Sequence, residues 1–149
     1  MIQFFPSVDY LVDVLKKVVR AVAPGGAIFL GDLRSLPLLE AFHTSIQLYQ
    51  APDSLSTEQL QQRIQNNLNQ EEDLIVDPEL FVALKQELPQ ISHVEVQLKR
   101  GRHHNELTKF RYDVILHIGK DSSAPIESRR LNWQSDELNL YSIRQLLET

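Results

Sequence analysis

The stretch Pro24-Gly25-Gly26-Ala27-Ile28-Phe29-Leu30-Gly31 decides how this chain is read. Residues 27–31 form a short apolar run without alternation, the pattern of a parallel strand covered on both faces. Ahead of it, Val8, Leu11, Val12, Leu15, Val18, Val19 and Val22 recur at spacings of three and four, lining one face of an amphipathic helix. Ser7 is the expected N-cap, and Pro24-Gly25-Gly26 stops the helix. Helix, glycine turn and buried strand make half of a βαβ unit, so the expected fold class is α/β.

Working outward, residues 36–49 read as a second helix with Leu38, Leu39, Phe42, Ile46 and Tyr49 on one side and Pro37 in its first turn. A third begins near Ser56, where Ser56 and Gln59 form a capping box. Its seam of Leu60, Ile64 and Leu68 is one residue per turn, which suits a surface lid. Asp77-Pro78 caps a fourth helix carrying Leu80, Phe81, Leu84 and Leu88. After Pro89 the period changes to two. Val94, Val96 and Leu98 alternate with His93, Glu95 and Gln97, the mark of a half-covered strand. A polar loop over 99–105 leads to Phe110, Tyr112, Val114, Leu116 and Ile118 on one face of a longer strand, with Ile115 on the other. The two runs most simply form an antiparallel hairpin. Residues 120–125 read as a loop, 126–133 as a weak strand, and 138–147 as a terminal helix with Leu140, Ile143 and Leu147 apolar.

The 149 residues fit one domain, able to bury roughly two-thirds of its unfolded surface. An apolar fraction of 42% and a charged fraction of 23% mark an ordinary globular protein. A net charge of −5 argues against nucleic acid as a partner, because phosphate backbones need a cationic surface. Lys99, Arg100, Arg102, His103 and His104 nevertheless crowd into one stretch, whose plainest reading is a solvated turn. The absence of cysteine excludes disulfides, thiolate zinc sites and cysteine nucleophiles. His93, His103, His104 and His117 match no helix-borne or finger-type ligand spacing, so no metal is expected. No apolar run is long enough to span a membrane, and Met1 to Pro6 lacks the pattern of a signal peptide. The expected location is cytoplasmic.

Several stretches resemble a known family. Met1-Ile2-Gln3-Phe4-Phe5-Pro6-Ser7 resembles the end of the Asn-Ser-Val-Val-Gln-Tyr-Phe-Pro motif of the N-methyltransferase domains of nonribosomal peptide synthetases. Ala23-Pro24-Gly25-Gly26 with the strand and Gly31-Asp32-Leu33-Arg34 resembles the family's next stretch. Leu36-Pro37-Leu38-Leu39-Glu40-Ala41-Phe42-His43 and Tyr49-Gln50-Ala51-Pro52 continue the likeness. Asn105-Glu106-Leu107, leading into Tyr112-Asp113-Val114, is similar to the family's Asn-Glu-Leu segment before a late strand. Asn132-Trp133 through Leu147 resembles its exit toward the synthetase. The likeness covers nearly the whole chain, in order.

The resemblance implies a class I methyltransferase fold, with a seven-stranded sheet ordered 3-2-1-4-5-7-6 and strand 7 antiparallel. It divides the chain into a helix and strand 5 over 1–34, a helical insertion over 35–89, a hairpin of strands 6 and 7 over 90–119, and an exit segment over 120–149. It implies S-adenosylmethionine as cofactor, and as acceptor an aminoacyl group carried as a thioester on a peptidyl carrier domain. One feature departs from it. A cofactor of this kind is held by a glycine-rich turn after the first strand. Gly25, Gly26, Gly31, Gly101 and Gly119 include no G-x-G, and none opens a helix after an apolar strand. The expectation is that strands 1–3 lie upstream of Met1 and that this part alone binds no S-adenosylmethionine. Its expected partners are then the upstream remainder of the domain and a peptidyl carrier domain. A homo-oligomer through the exposed sheet edge is also expected. The alternative is a catalytically inactive fragment with a structural or interaction role.

Methylating nitrogen requires an uncharged amine held in line with the methyl donor, and a base that accepts its proton adds to the rate. On the resemblance, Gln3 orients the amine at the end of strand 4, and Asp32 and Arg34 sit just past strand 5. His43 faces the acceptor cleft as a base, Asn105 and Glu106 approach the same mouth, and Tyr49 and Tyr112 wall it. Gln3, His43 and Glu106 are thus the catalytic candidates, and Arg34, Tyr49, Asn105 and Tyr112 the substrate-binding ones. Each has a structural alternative. Gln3 is then a frayed end, Asp32 and Arg34 a turn pair, His43 a satisfied helix histidine, and Asn105-Glu106 a pin for the hairpin loop.

Overall fold

The computed structural model describes residues 2–119 and 131–148. Its main elements are α1 (Val8–Ala21), β1 (Ala27–Arg34), α2 (Leu39–Gln50), α3 (Thr57–Asn69), α4 (Glu79–Glu87), β2 (Ile91–Leu98), the one-turn α5 (Glu106–Lys109), β3 (Arg111–Ile118) and α6 (Leu140–Leu147). The α/β class holds. The three strands form one sheet in the order β1-β3-β2, antiparallel throughout.

Local chemistry explains most of the boundaries. Ser7 caps α1 by accepting a 3.1 Å hydrogen bond from the Tyr10 N–H. Ser56 and Gln59 complete the capping box of α3. Asp77 accepts from the Glu79 N–H at the start of α4. Proline shapes the entry to α2: residues Leu36–Leu38 wind into a 3-10 turn with Pro37 in its first positions, and the α-helix begins only at Leu39. After α1 the chain turns through Gly25, at φ +87, and the Gly25 N–H donates to the Ile118 carbonyl at 2.7 Å.

The core lies on one face of the sheet. Leu11, Leu15 and Val19 of α1 and Phe81 and Leu84 of α4 meet Leu30, Leu33, Ile91, Tyr112, Val114, Leu116 and Ile118, all buried. Each such side chain contributes about 1.5–3 kcal/mol by leaving water. The alternation in β3 matches the expectation from Tyr112 on, with Tyr112, Val114, Leu116 and Ile118 facing inward, whereas Phe110 lies ahead of the strand as the C-cap of α5. In β1 the register slips between Leu30 and Leu33, one extra residue against β3. Asp32, at φ +65, occupies this bulge. The inserted residue returns Leu33 to the buried face that Leu30 already occupies.

Three expectations need correction. The strand at 27–31 is neither parallel to its neighbour nor covered on both faces: it pairs antiparallel with β3, and Phe29 is 65% exposed. An apolar run records what residues are, and the helices cover only one side of the sheet. Along β2 only Ile91 is buried, while Val96 and Leu98 end exposed because α4 packs at the strand's other end. Of the residues expected on one side of the second helix, Leu38 falls in the 3-10 turn before α2 and is exposed, and Tyr49, on α2, is 92% exposed. As the thin seam of α3 suggests, it is a surface helix: it has no buried residue and packs on α2. The expected loop at 120–125 and most of the expected strand at 126–133 fall outside the described residues; residues 131–139 form turns. The terminal helix is present, capped by Asn139, with Leu140 and Leu147 exposed. Among the described residues no helix is long and apolar enough to cross a membrane.

Candidate functional site

The carboxyl end of β1 is where the chain gathers its polar residues. Beyond α3 the backbone returns alongside this end. The Val76 N–H donates to the Arg34 carbonyl at 3.0 Å, the Leu36 N–H donates to the Val76 carbonyl at 3.2 Å, and Ser35 and Val76 form a parallel bridge. That return carries Glu71 and Asp73 to Arg34. The guanidinium donates to both carboxylate oxygens of Glu71 at 2.7 Å each, and to Asp73 at 2.9 Å. His43, the buried residue of α2, places Nε2 3.0 Å from Glu71.

The charges in this cluster stabilise one another. Burial alone would lower the Arg34 pKa, but the hydrogen bonds and charges of Glu71 and Asp73 outweigh it and hold the guanidinium raised. Burial alone would raise the Glu71 carboxyl. Arg34, the Asp73 N–H and His43 overcome that and keep it below the ordinary carboxylate range. Among the described residues no buried side-chain polar atom lacks a partner. The cluster is therefore satisfied internally and acts as a latch between β1, α2 and the 71–76 return.

On the opposite side of the bulge lies a second cluster. Asp113 accepts a 2.7 Å hydrogen bond from the Asp32 N–H, the donor that the bulge leaves without a ladder partner. Arg111 pairs with Asp32 at 2.5 Å, and Lys99 with Asp113 at 2.9 Å. Burial would raise Asp113, yet the Asp32 N–H and Lys99 hold it low; Lys99 is raised, chiefly by its hydrogen bond to Asp113. Asp32 and Arg34 thus serve separate ion-pair networks and do not pair with each other.

A cleft of about 630 Å³ opens between α2 and α5. Phe42, Ile46 and Phe110 supply its apolar wall; Tyr49, Asn105, Glu106 and Lys109 bring polar groups. It sits just past the carboxyl end of β1, because the Ser35 N–H donates to the Phe110 carbonyl at 3.1 Å and begins β3 beside the end of β1. The Phe42 ring meets Phe110 edge-on at 5.5 Å, and the Arg34 guanidinium lies 4.8 Å from the Phe42 ring centre. The latch thereby braces the wall of the cleft.

The sequence candidates divide between these settings. Tyr49, Asn105 and Glu106 share the cleft. Asn105 also caps α5, its side-chain oxygen accepting from the Leu107 and Thr108 N–H groups. Arg34 and His43 belong to the latch. Gln3 lies in a short 3-10 turn, and its carbonyl accepts from the Leu74 N–H at 2.7 Å, at the start of the same return. Tyr112 is in the core, its hydroxyl donating to the Val76 carbonyl at 2.9 Å; burial, then the charge of Asp77, pushes its phenol up. Sequence reasoning missed Glu71 and Asp73, which stand in a polar run without periodicity. The one available signal was the buried arginine's need for carboxylates.

Known proteins resemble the chain over most of its length. Chondramide synthase of Chondromyces crocatus is 43% identical over 143 residues, 96% of this chain and 4% of that protein. A nonribosomal peptide synthetase of Penicillium thymicola is 35% identical over 153 residues, 99% of this chain and 5% of that protein. Cyclosporin synthetase of Tolypocladium inflatum is 40% identical over 116 residues, 78% of this chain and 1% of that protein. The chain therefore spans a few per cent of these relatives' length. No family model matches it. The chain is related to a segment of nonribosomal peptide synthetases.

Proposed function

We propose that the chain is the acceptor-side part of an S-adenosylmethionine-dependent N-methyltransferase domain in a nonribosomal peptide synthetase, acting on a carrier-bound aminoacyl group. The similarity to synthetase segments and the ordered motifs support this. The observation that carries it is the sheet order β1-β3-β2 with β3 antiparallel between its neighbours. It equals the 5-7-6 order that the resemblance implies. A sequence hairpin alone would as readily have left β1 beside β2.

The described glycines do not fit the cofactor by themselves. Gly25 and Gly26 close the turn between α1 and β1, Gly31 lies within β1, Gly101 precedes α5 and Gly119 follows β3. Gly101 and Gly119 lie in the loops after β2 and β3, but none of the five opens a helix directly from the end of a strand, where backbone N–H groups cradle such a ligand. In this proposal another part of the synthetase supplies the cradle, and this chain supplies the side on which the amine lies. Glu106, exposed on the cleft, is the carboxylate that takes up the amine's proton. Tyr49 and Asn105 border the acceptor. His43 and Arg34 position the wall through Phe42, and Gln3 steadies the 71–76 return through its carbonyl.

The test is methylation of a carrier-bound aminoacyl thioester by the completed domain. Glu106→Gln is expected to lower kcat about 100-fold, the scale of a general base, with KM little changed. An inactive completed domain sinks the proposal. Calorimetry of this chain alone with S-adenosylmethionine is expected to show no binding; tight stoichiometric binding would overturn the assignment of the cradle elsewhere. The placement of the glycines also favours a second reading, a non-catalytic piece with a structural role, which activity of the completed domain would exclude.

A further inference from the structure

Phe42, Ile46 and Phe110 stand apart from the core. All three are half-buried, yet among the described residues none belongs to the core cluster or packs against it. They line the cleft between α2 and α5 instead. Apolar surface gathered in a concave site, and not consumed by the fold's own core, is surface available to a ligand.

Along α2, Phe42, Ile46 and Tyr49 recur at spacings of four and three, which stacks them on one face of the helix. Their settings differ along that face. Phe42 is held from two sides, by the Arg34 guanidinium 4.8 Å from its ring centre and by the edge of Phe110 at 5.5 Å. Tyr49 stands at the far end, 92% exposed. Ile46 lies about one turn from each and is the aliphatic part of this wall. Of the lining residues that α2 supplies, Phe42, Ser45, Ile46, Tyr49 and Gln50, none carries a charge. The charged groups of the cleft, Glu106 and Lys109, come from α5.

From this division we propose that the α2 wall selects the acceptor by its side chain, with Ile46 the specificity-determining residue: aminoacyl groups with aliphatic side chains are taken, and those with charged side chains are turned away. The inference rests on the methyltransferase reading for the identity of the acceptor as an aminoacyl group. Such a group carries its amine and its side chain on one carbon. An amine directed to Glu106 on α5 therefore sends the side chain toward the opposite wall, which is α2. There Phe42 and Ile46 cover an aliphatic side chain, and each methylene covered strengthens binding about fourfold. A carboxylate or ammonium in the same place loses water and meets no opposite charge on α2.

The test is titration of this chain, followed by NMR, with the α-amides of leucine, alanine and aspartate at about pH 9, where their amines are uncharged. The leucine amide is expected to bind at least about tenfold more tightly than the alanine amide, and the aspartate amide more weakly than either. Ile46→Leu conserves volume and should keep the leucine preference. Ile46→Ala should cut it to about threefold and leave the alanine amide where it was, since a loss of fold would weaken all three amides alike. Equal binding of the leucine and alanine amides overturns the inference, as does a preference that survives Ile46→Ala or is lost in Ile46→Leu. Aspartate amide binding as tightly as leucine amide overturns it too, and so does binding of none of the three. In the completed domain the same preference is read as the ratio of kcat/KM for leucyl and alanyl acceptors. Methylation without a preference sinks this inference alone; an Ile46-dependent preference in binding, with no methylation, sinks the function alone.

Discussion

The Arg34 guanidinium and the Glu71 carboxylate, 37 positions apart in the chain, meet through two parallel hydrogen bonds of 2.7 Å. Both side chains are nearly buried, at 10% and 14% exposure. Together they fasten the end of β1 to the segment that returns from α3, and through His43 to α2. Because water is largely excluded, the pair is worth little as a bonus and much as a requirement.

Removing one partner should therefore cost more than removing both. Glu71→Ala is expected to destabilise the fold by about 3 kcal/mol, with Asp73 retaining part of the arginine's satisfaction. The double variant Arg34→Met, Glu71→Leu should recover most of that loss, because apolar side chains of similar size fill the site. Urea unfolding of the single and double variants measures both values. A double variant as unstable as the sum of its parts would show that the latch stabilises by its charges rather than by satisfying them.

Acid should weaken the protein through this pair and through Asp113. Both carboxyls are held below their unfolded values, so their contribution is present above the unfolded pKa, near 4, and is lost as pH falls through the lower folded values. Stability is expected to begin falling as pH drops below about 5, and to fall less steeply in Glu71→Gln, which has no proton to gain at that site. Lys99 works in the opposite sense: its raised pKa contributes stability that is lost only as pH rises past the ordinary lysine range. Thermal midpoints across pH separate the two ends.

Two glycines with left-handed backbone should respond differently to alanine. Gly25, at φ +87, has open space around the missing Cβ, so Gly25→Ala is expected to cost about 1 kcal/mol from backbone strain alone. At Gly119, with φ +101, a Cβ would come within 2.9–3.0 Å of the backbone at Gly25 and Pro24. Gly119→Ala should cost at least about 1 kcal/mol more, since neither neighbour is a flexible side chain. Equal losses in paired denaturation curves would mean that the junction between the α1–β1 turn and β3 yields easily.

The outer edge of β1 pairs with no strand among the described residues, and Phe29 projects from the sheet face that the helices leave uncovered. Unpaired edges beside apolar surface promote association. Light scattering is expected to show a dimer or larger assembly, and Phe29→Lys to shift it toward monomer. A monomer at high concentration in the unaltered protein would remove the edge as an interface.

Features set by neighbours along the chain were legible in the amino-acid sequence. Ser7 and Ser56 announced their caps, and the period of two from Tyr112 to Ile118 announced both the strand and its inward face. What depends on distant residues was not. Phe29 has the hydrophobicity of a covered residue, and only the packing of α1 and α4 on the other face exposes it. The slip between Leu30 and Leu33 has no local mark beyond a glycine, since it exists only relative to β3. At the candidate site, Tyr49, Asn105 and Glu106 were named from sequence and do share a cleft, whereas Glu71 reaches Arg34 only through the path of the chain.

The order β1-β3-β2 also bears on how the protein is made. Synthesis runs from the amino terminus, so the middle strand of the sheet is the last of the three to leave the ribosome. Until Ile118 has emerged, β1 and β2 have no strand between them, and the apolar faces of α1 and α4 have no complete sheet to cover. The nascent chain must hold more than a hundred residues in waiting, in the state most open to capture by chaperones or by other nascent chains.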